Sequence, residues 1–123
     1  MTGSDYRVGI DVGSVSVNLA VLNEAGKVVE ERYVRHMGRP MHVAGEVLLA
    51  AVSKYGAENL CGLAATGGGG RVVAELLGAA FINEVVAQGT AAAVLHPEAR
   101  TVVEIGGEDS KLIFVRPTES GVY

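Results

Sequence analysis

Glycine is concentrated at three places in this chain, and each place adjoins a run of residues that favours β-strand. The clusters are Gly9 to Gly13, Gly67 to Gly70, and the pair Gly106 and Gly107. Because glycine lacks a Cβ, its backbone can approach another group more closely than that of any other residue. The seventeen glycines among 123 residues therefore predict loops at strand ends that must approach something closely.

The first half of the chain has two kinds of hydrophobic periodicity. Runs rich in β-branched residues at 6–12, 15–23 and 28–36 predict three strands, and the short turns between them predict an antiparallel meander. From Pro40 the apolar residues recur at three- and four-residue steps until Gly56, which predicts a helix that packs by one face on the sheet.

The second half returns to strands and short helices. Residues 60–66 predict a buried strand, parallel to the first strand if the preceding helix is a crossover. Residues 71–77 predict a short helix, and a longer one extends from about Asn83 to His96, before Pro97. Two final strands, 101–105 and 110–115, enclose the last glycine cluster. The chain is therefore predicted to be α/β, with a mixed sheet in the order βββαβα, a further helix and a hairpin.

Composition excludes several classes of protein. The net charge is −4 and no run of Lys or Arg is present, so the electrostatic footprint of a protein that binds nucleic acid or anionic lipid is missing. The nearly apolar stretches fall far short of a membrane span, and the N-terminal residues have neither a basic n-region nor an apolar h-region. We expect a cytoplasmic protein with no nucleic-acid or membrane partner.

The metal-ligating residue types are scattered. Cys61, the single cysteine, lies in an apolar strand and is predicted to be a small buried thiol. His36, His42 and His96 have no metal-ligand spacing with one another or with Cys61, which favours surface or cap positions.

Two turns combine glycine with a carboxylate, and they echo each other along the chain. In both, an acidic residue leads into glycine between two strands, where backbone amides can hold phosphate oxygens and a carboxylate can face Mg²⁺. Either turn alone is also compatible with an ordinary hairpin. The candidate residues are Asp11, Gly13 and Ser14 in the first turn, and Glu104, Gly106, Gly107 and Asp109 in the second.

Taken together, the two turns and the segment between them resemble the superfamily of actin, sugar kinases and heat-shock chaperones. Three segments, 64–71, 83–88 and 103–111, resemble more closely the BadF/BadG/BcrA/BcrD ATPase family. The resemblance covers nearly the whole chain, from Val8 to Val115. Residues 67–71 do not form a P-loop, because the Lys-Ser/Thr pair is missing. They are either a flexible segment that leads into a helix or a family signature, in which case Arg71 lies near the cleft or at a partner face.

The resemblance implies an ATP-binding cleft between two ribonuclease-H-like lobes. Residues 1–99 would form the first lobe and 100–123 the start of a truncated second lobe. It implies ATP and Mg²⁺ as cofactors, with phosphates held by the two glycine turns and Asp11 near the metal. Glu84 and Glu104 would orient the attacking water. Glu84 has a second interpretation as an acid that favours the helix dipole after an Asn83 cap, and Glu104 stands where the superfamily often has Asp.

The function that the resemblance implies is ATP-dependent activation of a 2-hydroxyacyl-CoA dehydratase or benzoyl-CoA reductase by low-potential electron transfer. Such activators carry a [4Fe-4S] cluster between two subunits, so a homodimer is expected, with cluster ligands that are not in this chain. The chain by itself is expected to be inactive as an ATPase. The alternatives are a sugar or N-acetylhexosamine kinase lobe of the same superfamily and a non-catalytic actin-like scaffold.

Overall fold

In a computed structural model, which describes residues 5–106, 110–114, 117–118 and 121–122, the alternating runs near the start of the chain form an antiparallel meander. Its strands are β1 (Tyr6–Val12), β2 (Ser16–Leu22) and β3 (Val28–Arg35). The side chains of Val8, Ile10 and Val12 are buried on one face of β1. This is the period-two burial expected of a strand whose one face covers a core.

The helical pattern forms α1 (Pro40–Tyr55), with the proline in its first turn and Gly56 at its C-terminal end. Gly56 has φ +87°, a conformation that glycine adopts without the steric cost that a Cβ brings. After a short 3-10 turn, β4 (Leu60–Thr66) pairs in parallel with β1, so α1 is the predicted crossover. The short α2 (Gly70–Leu77) and β5 (Ala80–Phe81) follow.

These strands make one mixed sheet in the order β3-β2-β1-β4-β5. One face of the sheet is covered by α1 and α2, and the core lies beneath these helices. Burying one valine, leucine or isoleucine side chain contributes roughly 1.5–3 kcal/mol to folding. The core consists of Val8, Ile10, Val12, Val17, Leu19, Val21, Val43, Ala44, Val47, Ala65, Val73 and Ala74.

The covering of β4 is incomplete, and two predictions are wrong there. An apolar groove of about 620 Å³ remains open between α1 and α2 over the start of the strand. Only Ala65 of β4 is fully buried, so this strand is half-buried rather than buried. Cys61 is exposed in the groove wall, because the β1–β4 register shifts at this point and leaves it as an extra, bulged residue.

The chain divides into two compact units, Met1–Phe81 and Ile82–Tyr123. In the second unit, α3 (Glu84–Leu95) packs against the antiparallel hairpin of β6 (Thr101–Ile105) and β7 (Ser110–Phe114). A short further pair consists of β8 (Pro117–Thr118) and β9 (Gly121–Val122).

One face of the β6–β7 hairpin is apolar and exposed. Ile113 is buried on the face towards α3, whereas four large side chains are more than half exposed on the other face. These are Val103, Ile105, Leu112 and Phe114. Among the described residues, none of the helices is long and apolar enough to cross a membrane.

The predicted fold class is confirmed, and so are the principal elements within a residue or two. The two-residue strands β5, β8 and β9 were not predicted, since such short segments have no periodicity to detect. The proposed lobe boundary at residue 99 stays a prediction.

Candidate functional site

Asp11 lies near the carboxyl end of β1 and is half-buried. In the sheet register it is opposite Asn18 on β2 and Thr66 on β4. Residues that are opposite each other in a sheet project to the same face, so these three polar residues form a row across the sheet. The row lies on the face opposite to the one that α1 and α2 cover.

The turn after β1 is held closed by its own backbone and by a histidine. The N–H of Gly13 donates to Ser16 O at 2.9 Å, and Ser14 at the tip of the turn is exposed. His36 Nε2 lies 3.0 Å from the carbonyl oxygen of Gly13, and the N–H of Gly38 lies 3.1 Å from His36 Nδ1. Since an amide can only donate, Nδ1 is the acceptor and Nε2–H donates to Gly13. The neutral imidazole therefore ties the turn to the end of β3.

This corrects the prediction for His36, which is a buried residue with 7% exposure rather than a surface residue. The chain reverses immediately after it through Met37 and Gly38, which both have positive φ. The N–H of His36 donates to Val15 O at 3.1 Å, which continues the β2–β3 pairing and places the ring beside the turn. Nothing in the spacing of the histidines indicates it, because the contact joins residues 23 positions apart.

The second glycine cluster lies directly on the first turn. The N–H of Gly69 donates to Val12 O at 2.9 Å. Gly67 has φ +90°, and a Cβ at this position would be 2.5 Å from both Asp11 Oδ1 and Val12 O. Such distances are far inside van der Waals contact, so the loop approaches Asp11 this closely only because it lacks side chains. Two of the three glycine clusters therefore meet beside one carboxylate.

Arg71, in the first turn of α2, is exposed, and its guanidinium lies 4.3 Å over the ring of Phe81. Stacking on an aromatic face holds an arginine by cation–π attraction. The side chain is thus oriented at the end of the glycine loop, within the first unit.

In the second unit, the two predicted glutamates are brought to a single lysine. Lys111 Nζ lies 3.9 Å from Glu84 Oε2 and 3.9 Å from Glu104 Oε2. Glu104 and Lys111 are opposite each other in the hairpin, and Glu84 comes from the first turn of α3. Glu104 Oε2 is buried and accepts no hydrogen bond from the described residues. Among the described residues, two carboxylates thus face one ammonium group.

The second interpretation of Glu84, as an acid in the first turn of a helix capped by Asn83, agrees with the structure. The side chain of Asn83 caps α3 by accepting from the N–H of Val85 at 2.8 Å, and Glu84 is the acid of the first turn. The charge of the Glu84 carboxylate is favourable both beside the helix N-terminus and beside Lys111, so the two roles are compatible. Of the other predicted residues, Gly106 is exposed after β6, while Gly107 and Asp109 lie outside the described residues.

The donor set beside Asp11 is compatible with Mg²⁺ bound to phosphate. Within the ranges described, no three His, Cys, Asp or Glu residues form a cluster that would hold a metal by protein ligands alone. Mg²⁺ keeps several waters and commonly takes one or two carboxylates together with phosphate oxygens. A half-buried aspartate under a glycine-walled loop fits that requirement. Asp11 would hold the ion, and the ion would supply charge compensation for the phosphates.

A comparison with protein families shows to which family this chain belongs. The sequence profile of the BadF/BadG/BcrA/BcrD ATPase family matches residues 8–121. The chain belongs to that family. A comparison with curated protein sequences finds no match.

Solved structures share the fold. Component A of the (R)-2-hydroxyglutaryl-CoA dehydratase of Acidaminococcus fermentans is 29% identical over 91% of this chain and 43% of that chain, with a TM-score of 0.76. The activator of the 2-hydroxyisocaproyl-CoA dehydratase of Clostridium difficile, solved with bound ADPNP, is 23% identical over 90% and 41%, with a TM-score of 0.73. A Ppx/GppA protein of Aquifex aeolicus is 18% identical over 98% and 49%, with a TM-score of 0.58. This chain thus spans less than half the length of each.

The residues of this BadF/BadG/BcrA/BcrD chain do not fit an iron–sulfur cluster. Such clusters are held by several cysteine thiolates, whereas this sequence has one cysteine, Cys61, in the wall of the apolar groove. No cluster ligand is therefore assigned in this chain.

Proposed function

We propose that the chain is the ATP-binding portion of an ATP-dependent activator that drives electrons into an acyl-CoA dehydratase or reductase. One observation carries the proposal. The first two glycine clusters meet at Asp11, at the carboxyl ends of the parallel strands β1 and β4, where backbone amides and a carboxylate can face phosphate and Mg²⁺. Membership of the BadF/BadG/BcrA/BcrD ATPase family supports it.

The roles of the first unit follow from its geometry. We assign Asp11 to Mg²⁺, mostly through the water that the ion retains, and the turn of Gly13 and Ser14 to the phosphates. Because the N–H of Gly13 already donates to Ser16 O, the amide contact of this turn falls to Ser14. His36 holds the carbonyl of Gly13, so the turn does not have to be ordered when nucleotide binds. Preorganised contacts of this kind lower the entropic cost of binding.

The roles of the second unit concern water and charge. We assign Glu84 and Glu104 to orienting the attacking water, because phosphoryl transfer depends on positioning and charge compensation more than on covalent chemistry. The ammonium of Lys111 between them limits the repulsion of two nearby carboxylates. Gly106, Gly107 and Asp109 complete the proposed phosphate contacts of this unit.

The proposed partners are those of the structural neighbours. One neighbour is a dehydratase component and another is a dehydratase activator, which supports an acyl-CoA dehydratase as the partner. A homodimer with a [4Fe-4S] cluster remains part of the proposal. Ligands for such a cluster would come from residues outside this chain.

The substitution Asp11→Ala tests the assignment in the protein at its natural length. We expect steady-state hydrolysis of Mg-ATP to fall at least tenfold, a loss of about 1.4 kcal/mol of transition-state stabilisation. Asp5→Ala is the matched control, since Asp5 is an exposed carboxylate just before β1. Activation of an acyl-CoA dehydratase should fall in parallel.

Two outcomes would contradict the proposal. Hydrolysis that is the same in Asp11→Ala as in the wild type would remove Asp11 from the site. ATP consumption that depends on an added hexose, with no activation of any acyl-CoA enzyme, would instead indicate a kinase.

A further inference from the structure

The hydroxyl of Thr66, at the end of β4, is a buried polar group. Its Oγ1 has no hydrogen-bond partner among the described residues, although the atom is shielded from solvent. A buried hydroxyl without a partner costs free energy, because it has lost its bonds to water and gained none in the protein. An unsatisfied group of this kind in a folded protein calls for a reason, and a bound ligand is one.

The position of Thr66 indicates which ligand. Thr66 ends β4 and is opposite Asp11 in the parallel register of β1 and β4. Opposite residues project to the same face of a sheet, so the hydroxyl and the carboxylate lie on one face at the carboxyl ends of their strands. The next residue, Gly67, is the glycine whose missing Cβ leaves room for Asp11 Oδ1.

The loop after Thr66 is also fixed in place. Gly69 is bonded through its N–H to Val12 O, and a Cβ on Gly69 would lie 2.6 Å from Val12 Cγ1. The end of β4 therefore cannot move away from the Asp11 turn without breaking this bond. Thr66 thus lies at the same site as Asp11. Its backbone is held by the pairing of β4 with β1 before it and by the bond of Gly69 to Val12 after it.

We infer that Thr66 is a further contact residue of the nucleotide site, and that its hydroxyl bonds to a phosphate oxygen or to a water of the Mg²⁺ ion beside Asp11. The inference rests on the proposed function. It gives the glycine loop a role beyond close packing, which is to hold one hydroxyl at the phosphates.

The substitution Thr66→Val removes the hydroxyl and preserves the shape of the side chain. We expect the affinity for ADP and for a non-hydrolysable ATP analogue, measured by calorimetry on the protein at its natural length, to fall about tenfold or more. Thr66→Ser keeps a hydroxyl and should bind within about threefold of the wild type. Measurements with and without Mg²⁺ separate the two ligand atoms, since loss only with Mg²⁺ indicates the metal-bound water.

Thermal stability provides the readout that a purely structural residue would not give. Without nucleotide, Thr66→Val should melt at the same temperature as the wild type or higher, because the unsatisfied hydroxyl is gone. On addition of Mg-nucleotide, the melting temperature of Thr66→Val should rise less than that of the wild type. Thr66→Ala, which adds no bulk, should show the same loss of affinity. Thr90→Val is the control, since the Thr90 hydroxyl donates to Val86 O on the surface of α3.

Three results would overturn the inference. They are unchanged nucleotide affinity in both Thr66→Val and Thr66→Ala, failure of Thr66→Ser to restore binding, and an equal loss of affinity in Thr90→Val. In each case the wild type still binds Mg-nucleotide, so the proposed function survives. A wild type that binds no Mg-nucleotide would overturn the proposed function, and this inference with it.

Discussion

The site around Asp11 depends on residues that lack a side chain or a hydrogen-bond partner among the described residues. Gly67 combines φ +90° with a position where a Cβ would meet both a carboxylate oxygen and a backbone carbonyl. The hydroxyl of Thr66, immediately before it, has no hydrogen-bond partner in the part of the chain that the structure describes. Close approach and incomplete hydrogen bonding each cost stability, and they coincide here within two residues. Such local costs are typical of functional sites.

At this scale we predict that Gly67→Ala lowers the free energy of unfolding by about 2–3 kcal/mol. Roughly 1–2 kcal/mol is the cost of a left-handed backbone in a residue with a Cβ, and the remainder comes from the contacts with Asp11 and the backbone of Val12. Gly26→Ala is the control, because Gly26 has φ +82° but no atom within 4 Å of an added Cβ. Denaturant unfolding of both variants measures the difference. Equal losses would show that the contacts with Asp11 and Val12 carry no energy.

At the scale of elements, one polar cluster joins α1 to β3 at the edge of the sheet. Tyr55 Oη donates to Glu30 Oε1 at 2.6 Å, and Lys54 Nζ donates to the same oxygen at 3.0 Å. These bonds, first that of Tyr55 and then that of Lys54, hold the pKa of Glu30 below its ordinary value of 4.5. The ionised carboxylate therefore ties the last turn of α1 to β3.

We predict that Tyr55→Phe destabilises the fold by about 1 kcal/mol near neutral pH, because a hydrogen bond to a carboxylate is lost at a partly exposed site. The pKa of Glu30 is depressed in the folded state. The stabilisation from its bond to Tyr55 is therefore fully present above the ordinary pKa of 4.5, and it is lost as pH falls through the lower folded-state pKa. The difference from the wild type should thus shrink in acid unfolding series. Tyr33→Phe, at an exposed position of β3, is the control. A difference that is constant with pH would exclude the coupling to Glu30.

At the scale of the whole molecule, the second unit has one covered face and one open face. The face of the β6–β7 hairpin towards α3 buries Ile113, whereas the other face exposes Val103, Ile105, Leu112 and Phe114. Exposed apolar sheet surface is a template for association.

We predict that the 123-residue chain self-associates through this face at high concentration. Leu112→Lys should shift light scattering towards the monomer, since a charge opposite Val103 would have to be desolvated in the contact. Leu49→Lys is the control, because Leu49 on α1 is similarly exposed at 69%, against 59% for Leu112. If Leu49→Lys alone abolished association, the groove beside α1 would be the contact. A wild type that is monomeric at every concentration would contradict the prediction.

Local chemistry alone determined the elements and their order. The period-two runs, Pro40 and Gly56 at the ends of α1, and Asn83 before α3 each act through their own neighbours in sequence, so strands and helices were predictable within a residue or two. The parallel pairing of β1 and β4 followed too, because the crossover through α1 leaves little choice of direction. The candidate residues Asp11, Gly13, Glu84 and Glu104 were identified by pattern and resemblance.

Only the tertiary structure decided which of these residues meet. The close approach of Gly67 to Asp11, the bond from His36 to Gly13, and the ion pair of Lys111 with Glu84 all join positions distant in sequence, and their spacing carries no periodic signal. The burial of His36 and the exposure of Cys61 depend on a reversed loop and a shifted register, which hydrophobicity does not report. Thr66 shows the same limit. A threonine at a strand end is unremarkable until its hydroxyl, which has no partner among the described residues, is found buried on the same sheet face as Asp11.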